Sequence, residues 1–216
     1  MDDHQVDPRL IVRRIQMPGP FALDMRVPIW KDQVSTTDFA DIHQFVNDNY
    51  AQYVRPHNWD WQNIPPGHVP WDSYNFFKFD MPSVHRFKQD IARAYHDFSQ
   101  AYEFEPEKSL WISGWINILE AGVSLSMHWH SPHYHLSGFI SLTDNTSTTF
   151  HYPARNEVIK NSLGGITIFP CWADHEVGIV TEPVRLSVAF DLFTQQSVDN
   201  LSASPDTLIA HAVQLF

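Results

Sequence analysis

Cysteine is almost absent from the 216-residue sequence, in which Cys171 is the only one. A single cysteine excludes an internal disulfide and fits a reducing compartment. It also excludes zinc and iron–sulfur sites that are built from several cysteines. A metal site in this chain must therefore use other ligands.

Basic residues are scarce, because 14 Lys and Arg stand against 25 Asp and Glu, for a formal net charge of -11 with neutral histidine. Nucleic acids and anionic membranes bind proteins through a basic footprint, which this balance does not supply. We therefore expect a small molecule or a protein side chain as substrate and no nucleic-acid or membrane partner. A homodimer is a candidate assembly.

Long apolar runs are lacking too: no stretch reaches the roughly 18 residues of a membrane span. The opening MDDHQVDPRL has no basic segment followed by an apolar one, so we expect an unexported, cytoplasmic protein. The sequence also has no glycine-rich phosphate loop and no Ser-His-Asp order. Nucleotide binding and nucleophilic hydrolysis are therefore without support.

The length and composition predict one globular domain over residues 1–216, because no stretch resembles a linker and 43% of residues are hydrophobic. We expect residues 1–109 to provide supporting strands and helices. Residues 110–193 should form the catalytic core, and residues 194–216 a tail that is weakly helical from residue 206.

The sequence of the first half of the chain predicts both a strand and helices. Apolar residues alternate from Phe21 to Ile29, which indicates a half-buried strand. Ser35, with Asp38 three residues later, resembles a capping box at the start of a helix. A second helix should begin with Pro82 in its first turn. Apolar residues recur every three or four positions in both helices, so each should pack on a sheet.

From residue 110 the pattern changes to short runs of β-type residues, separated by Gly, Pro, Asn and Asp about every ten residues. Seven or eight strands in about 85 residues favour a double-sheet jelly roll. The predicted fold is mainly β (α+β), with two or three N-terminal helices against one face. The runs are LWISGWINIL, VSLSMHWH, HLSGFISL, STTFHY, GGITIFP, HEVGIVT and VRLSVAFDLF.

Histidine is abundant, with 13 copies, and three of them form a candidate metal site. His128 and His130 are two residues apart in a predicted strand, so their side chains leave the same face. His175 follows a buried strand and a turn, where a jelly roll has its mouth. Three imidazoles with open positions suit iron(II), and they also suit zinc, nickel or copper.

The strand after His175 carries Arg185 and Ser187 on one face. Arg185 can offer a bidentate fork to a carboxylate, and Ser187 can donate a second hydrogen bond. An ordinary edge-strand charge is the alternative, but an arginine among core residues needs a buried anionic partner, and a co-substrate carboxylate is a natural one. Asn117, at the end of the strand WINIL, is a candidate polar contact in the same pocket.

The order HxH, a histidine about 45 residues later, and Arg-x-Ser ten residues beyond it resembles the double-stranded β-helix oxygenases that depend on 2-oxoglutarate and iron(II). The blocks WINILEAG, HWHSPHYHLSGFISL, FHYPAR, GGITIFPCWADHEV and VRLSVAF resemble, more closely, a prokaryotic and phage family of this type. The resemblance covers residues 110–193.

This resemblance implies Fe(II) bound by His128, His130 and His175, and 2-oxoglutarate held by Arg185 with help from Ser187. It implies hydroxylation of a substrate by O2 with release of succinate and CO2. The chain departs from the superfamily at His130, where the usual ligand is Asp or Glu. A three-His cupin-type dioxygenase that uses no 2-oxoglutarate is therefore an alternative. Two others are a carboxylate ligand from elsewhere in the chain, and His130 as a bystander.

A non-catalytic jelly roll that binds a ligand is a further alternative, in which the three histidines need not meet. A second pair, His133 and His135, follows Pro132, which interrupts a strand. We expect this pair to support the metal ligands from behind or to face the substrate. The loop with Trp59, Trp61 and Trp71 either covers a pocket or buries its own aromatic rings.

Overall fold

The computed structural model describes residues 7–16, 24–55, 67–152, 155–201 and 207–216, which form two β-sheets with helices outside them. The larger sheet contains β1 (Leu10–Gln16), β2 (Asp24–Gln33), β3 (Val54–Arg55), β4 (Leu110–Glu120), β6 (Leu136–Ser141), β9 (Gly165–Pro170), β11 (Val184–Thr194) and β12 (Val213–Gln214). The smaller sheet contains β5 (Leu125–His128), β7 (Thr146–Phe150), β8 (Glu157–Asn161) and β10 (His175–Val177). The strand orders are β1-β2-β9-β6-β11-β4-β12, with β3 parallel to β4, and β5-β10-β7-β8.

The predicted jelly-roll fold is confirmed, because two mainly antiparallel sheets enclose one cavity between their inner faces. Eight strands, β4 to β11, lie between Leu110 and Thr194. The sequence pattern missed one of them, β8. Only Ile159 and Asn161 of that edge strand are buried, so its sequence EVIKN carries too little apolar alternation to be recognised.

Two helices support the larger sheet, α1 (Ala40–Tyr53) and α2 (Pro82–Tyr102), and α2 begins at Pro82 as predicted. The buried face of α2 contains the apolar positions that the spacing singles out: Val84, Phe87, Ile91, Tyr95 and Phe98. Two shorter helices follow in the tail, α3 (Gln195–Leu201) and α4 (Thr207–Ala210). No described helix is long and apolar enough to span a membrane.

The predicted capping box is wrong. The helix α1 begins five residues after Ser35, and its N-cap residue, Phe39, makes no capping hydrogen bond. Both the backbone N–H and the hydroxyl of Ser35 donate to Asp90 on α2, each at 2.9 Å. A buried carboxylate on a neighbouring helix therefore binds the donors that the local pattern had assigned to a cap.

The predicted strand over residues 21–29 is confirmed from Asp24 onward, where β2 pairs with β1 and β9. Phe21 and Leu23 lie outside the described residues, as do Trp59 and Trp61 of the aromatic loop.

Strand β11 lies in the middle of the larger sheet, between β4 and β6. Its sequence VRLSVAFDLF is buried almost throughout, because both of its faces are covered. Alternate residues from Arg185 to Asp191 line the cavity, and the residues between them belong to the main core. The strand thus presents one continuous row of side chains to the candidate site.

Candidate metal centre

Strands β5 and β10 bring His128 and His175 directly opposite each other in an antiparallel pair. His128 ends β5 and His175 begins β10, and their ring centroids are 4.3 Å apart. His130 lies two residues beyond the strand, where its backbone N–H donates to the carbonyl of Cys171 at 2.7 Å. Its ring centroid is 5.2 Å from that of His175. The three predicted ligands therefore meet.

Hydrogen bonds fix the protonated nitrogen of two rings. Nδ1 of His128 lies 2.8 Å from the carbonyl oxygen of Ser126, and Nδ1 of His175 lies 2.9 Å from that of Ala173. A carbonyl oxygen only accepts, so Nδ1 carries the hydrogen in each ring and Nε2 keeps its lone pair. One nitrogen from each of the three histidines lies within 4.8 Å of the others.

The third ring has a different partner. Nδ1 of His130 donates to Oδ1 of Asp191 at 2.6 Å, and the hydroxyl of Ser137 donates to the same oxygen at 2.6 Å. Asp191 is 0% exposed. The hydrogen bond leaves Nε2 of His130 free, as in the other two rings.

Burial keeps two of these imidazoles neutral. Burial is the main cause that lowers the pKa of His175 to about 2, and the neighbouring His128 and His130 act in the same direction. Burial also lowers the pKa of His128. Neutral imidazole is the form that binds a metal ion, so the burial of His128 and His175 favours a divalent cation over protons at this site.

A cavity of about 570 Å³ extends from the histidines between the two sheets. Arg185 lines it and is only 3% exposed. Its Nη2 donates to the hydroxyl of Thr148 at 3.1 Å, while its Nε has no partner among the described residues. Burial lowers its pKa to about 10, and no described carboxylate raises it. At neutral pH it is still a cation, and its positive charge contributes to the lowered pKa of His175.

Two polar residues lie beside this arginine. Ser187 pairs with Asn117 across β11 and β4, and both line the cavity. The hydroxyl of Ser187 is buried and makes no hydrogen bond within the described part of the chain. The cavity wall therefore contains the guanidinium of Arg185 and the unpaired hydroxyl of Ser187, at the positions where the sequence predicts an anion site.

No protein-family model matches the chain, and no curated protein sequence does. Solved structures do match. A non-heme alpha-ketoglutarate-dependent carbocyclase, SnoK from nogalamycin biosynthesis, is 12% identical over 77% of this chain and 79% of that one, with a TM-score of 0.52. A prolyl hydroxylase from Trichoplax adhaerens, solved with a hypoxia-inducible-factor peptide, is 12% identical over 78% and 84%, with a TM-score of 0.51.

The chain has the fold of these oxygenases. The expected likeness to the double-stranded β-helix enzymes is thereby confirmed as a likeness of fold. An oxidoreductase of the 2OG-Fe(II) oxygenase family from Burkholderia pseudomallei is 22% identical with a TM-score of 0.44. That match covers 51% of this chain and 56% of the Burkholderia protein, about half of each.

Within this oxygenase fold, the end of the cavity beyond His130 is aromatic. Trp115 stacks over His130 with ring centroids 6.2 Å apart, and Trp71 packs on Trp115 at 5.0 Å. Leu208 of helix α4 lines the same end, together with Tyr134. Trp71 is thus both a pocket residue and part of a small aromatic core, and the tail contributes to the pocket wall.

The second histidine pair lies elsewhere, which corrects the expectation that it supports the ligands or faces the substrate. His133 is exposed, and its carbonyl accepts from the hydroxyl of Ser197. Nε2 of His135 lies 3.2 Å from the hydroxyl of Tyr95 on α2. Neither residue lines the cavity. The side chain of His135 therefore lies against helix α2 and not in the cavity.

Asp191 is the site residue that sequence reasoning missed. The pattern of VRLSVAFDLF predicts a core strand and draws attention to one charge in it, Arg185. Asp191 is six residues further on, and an even spacing in a strand puts both charges on the same face. The even spacing from Arg185 is therefore the feature of the sequence that could have identified Asp191. Thr148, the partner of Arg185, carried no comparable signal, because a threonine in a strand is ordinary.

Proposed function

We propose that the chain is a non-haem Fe(II)- and 2-oxoglutarate-dependent oxygenase that hydroxylates a small molecule or a protein side chain, with release of succinate and CO2. One observation carries this proposal: a buried arginine without a carboxylate partner in the described residues shares a cavity with three convergent imidazoles. A buried cation needs an anion, and 2-oxoglutarate supplies one carboxylate for the arginine and another for a metal ion.

His128, His130 and His175 would hold the ion, since each has Nδ1 bonded to an oxygen and Nε2 available. Iron(II) together with 2-oxoglutarate supplies the activation of O2 when it is bound. The three ligands themselves carry no negative charge, so the two carboxylates of the bound co-substrate would compensate the charge of the divalent ion.

The protein's own contribution is orientation and exclusion of water. Arg185 would anchor the distant carboxylate of 2-oxoglutarate, with Thr148 holding the guanidinium and Ser187 donating a further hydrogen bond. Asn117 would offer a polar contact on the neighbouring strand. The aromatic end of the cavity, beyond His130, is left for the substrate.

The test is oxygen consumption by anaerobically purified protein supplied with Fe(II). We expect slow oxygen uptake that requires 2-oxoglutarate and yields succinate in proportion, even without the natural substrate. Protein that binds no Fe(II), or that yields no succinate under these conditions, would contradict the proposal. Zinc bound without an open coordination position would indicate a structural site instead.

A three-His dioxygenase that uses no 2-oxoglutarate is the second candidate. The observation that favours it is the ligand set itself, because the cluster in the described chain contains three histidines and no carboxylate. This candidate predicts turnover that is indifferent to 2-oxoglutarate, so the same assay separates the two. The alternative of a non-catalytic jelly roll has less support, since it gives no reason for three histidines to converge.

A further inference from the structure

A further inference, which rests on the proposed function, concerns Asp191. Among the side chains of β11 that line the cavity, Asp191 lies at one end and Arg185 at the other. Its side chain is 0% exposed. Its Oδ1 accepts hydrogen bonds from His130 and Ser137, each at 2.6 Å. Its Oδ2 has no hydrogen-bond partner among the described residues.

No lysine or arginine in the described part of the chain pairs with this carboxylate, and His130 contacts it through a hydrogen bond from its ring N–H. A buried carboxylate costs several kcal/mol unless a positive charge or several hydrogen bonds compensate it. The fold around Asp191 supplies two hydrogen bonds, both to the same oxygen. A divalent ion on the far nitrogen of His130 would supply the missing positive charge, one imidazole ring away.

The three histidines differ in the group that accepts the hydrogen bond from Nδ1–H. His128 and His175 donate to uncharged backbone carbonyl groups, whereas His130 donates to a carboxylate. An imidazole whose N–H is bonded to a carboxylate is a more basic ligand than one bonded to a carbonyl. His130 also occupies the position at which the oxygenases that this sequence resembles carry Asp or Glu.

We propose that Asp191 is a positioning residue that restores, from behind His130, the negative charge that the ligand set lacks. It fixes the Nδ1–H form of His130 and stabilises the charged metal centre through that ring. The metal site is then a three-His site in its ligands and a two-His-one-carboxylate site in its total charge.

The test is metal binding by purified Asp191→Asn, with Ser137→Ala as the matched control. Asparagine keeps the size of the side chain and removes its charge, whereas Ser137→Ala removes the other hydrogen bond to the same oxygen. Co(II) serves as the probe, and its affinity is measured by calorimetry. We expect Asp191→Asn to weaken Co(II) binding by about 10–100-fold. Ser137→Ala should weaken it by less than about threefold, because it removes one hydrogen bond and no charge.

A second readout separates positioning from a merely structural role. Metal binding raises the melting temperature, and the size of that rise reports affinity. In Asp191→Asn the rise on adding Co(II) should shrink, whatever the melting temperature of the metal-free variant. A structural role would lower the melting temperature with and without metal by the same amount. The visible absorption bands of bound Co(II) should also shift in Asp191→Asn and not in Ser137→Ala.

The outcomes are distinguishable from those for the proposed function. Wild-type protein that binds Co(II), with Asp191→Asn binding it equally tightly, overturns the role of Asp191 and leaves the proposed oxygenase intact. Equal losses in Asp191→Asn and Ser137→Ala also overturn it, because charge would then not be the cause. Wild-type protein that binds no Co(II) overturns both proposals together.

Discussion

Two histidine pairs with the same spacing lie five residues apart in the chain and have different surroundings. His128 and His130 converge with His175 at the mouth of the jelly roll. His133 is exposed, and the ring of His135 contacts Tyr95 of helix α2 and Phe104 just beyond that helix. Spacing alone therefore does not make a metal site. The first pair has a strand partner that brings a third imidazole directly opposite, and the second pair has none.

The strongest test of this difference removes one histidine from each group. His175→Ala should lower the affinity for Co(II) by more than about 100-fold, beyond the usual effect of losing an outer hydrogen-bond partner, because a direct ligand is lost. His133→Ala, at an exposed position of the second pair, should leave the affinity unchanged. Calorimetric titration with Co(II) measures both. Loss of binding in His133→Ala would break the comparison.

A second variant separates metal binding from co-substrate binding within the first region. Arg185→Ala should keep the metal, because Arg185 contacts none of the three ring nitrogens by hydrogen bond. It should weaken 2-oxoglutarate binding by about 2–5 kcal/mol, the usual cost of deleting one partner of a buried charge pair. That is a factor of roughly 30 or more in the dissociation constant. Unchanged 2-oxoglutarate affinity in metal-loaded Arg185→Ala would remove Arg185 from its proposed role.

Ser187→Ala should have a smaller effect of the same kind. One hydroxyl donor to a charged carboxylate is lost, which costs about 1.5–3 kcal/mol and corresponds to a factor of roughly 10–150 in 2-oxoglutarate affinity. The metal-loaded protein is titrated with 2-oxoglutarate, and Ser141→Ala serves as control, because Ser141 lies opposite Ser187 on β6 but does not line the cavity. An effect as large as that of Arg185→Ala would show that the hydroxyl does more than assist the arginine.

The smallest expected effect concerns the second pair and pH. Burial lowers the pKa of His135 below its usual value. The folded state therefore prefers the neutral ring, so this residue contributes stability above pH about 6.5, and the contribution is lost as pH falls below that value. Urea unfolding of metal-loaded protein at pH 7.5 and pH 5.5 should show a smaller loss on acidification in His135→Gln than in the wild type.

The matched control for this measurement is His133→Gln, because the ring of His133 is exposed to water. If both variants lose stability on acidification as the wild type does, His135 contributes nothing to the pH dependence.

Much of this fold and site was predictable from the sequence because strands and helices repeat with fixed periods. Spacing by two predicts that His128 and His130 share a face, and the structure brings them together although β5 ends at His128. Spacing by two likewise predicts that Arg185 and Ser187 line one cavity, and both do.

The rest depends on partners that no local pattern contains. Ser35 binds Asp90, 55 residues away, and so does not cap a helix. The Asp191–His130 contact joins residues 61 positions apart. His135 faces a helix, and only the path of the chain after Pro132 decides that. Pairings of this kind come from packing between elements, whereas periodicity describes each element separately.

The hydrogen bonds behind the three ligands also bear on how such a centre is altered by mutation. The acceptors for His128 and His175 are main-chain carbonyl groups, which remain after any amino-acid replacement. Only His130 depends on a side chain. Position 191 is therefore where a single codon change replaces the acceptor that directly contacts a ligand ring and leaves all three imidazoles in the chain. Natural variation and protein engineering can therefore both change the surroundings of a ligand by replacing Asp191, without replacing a histidine.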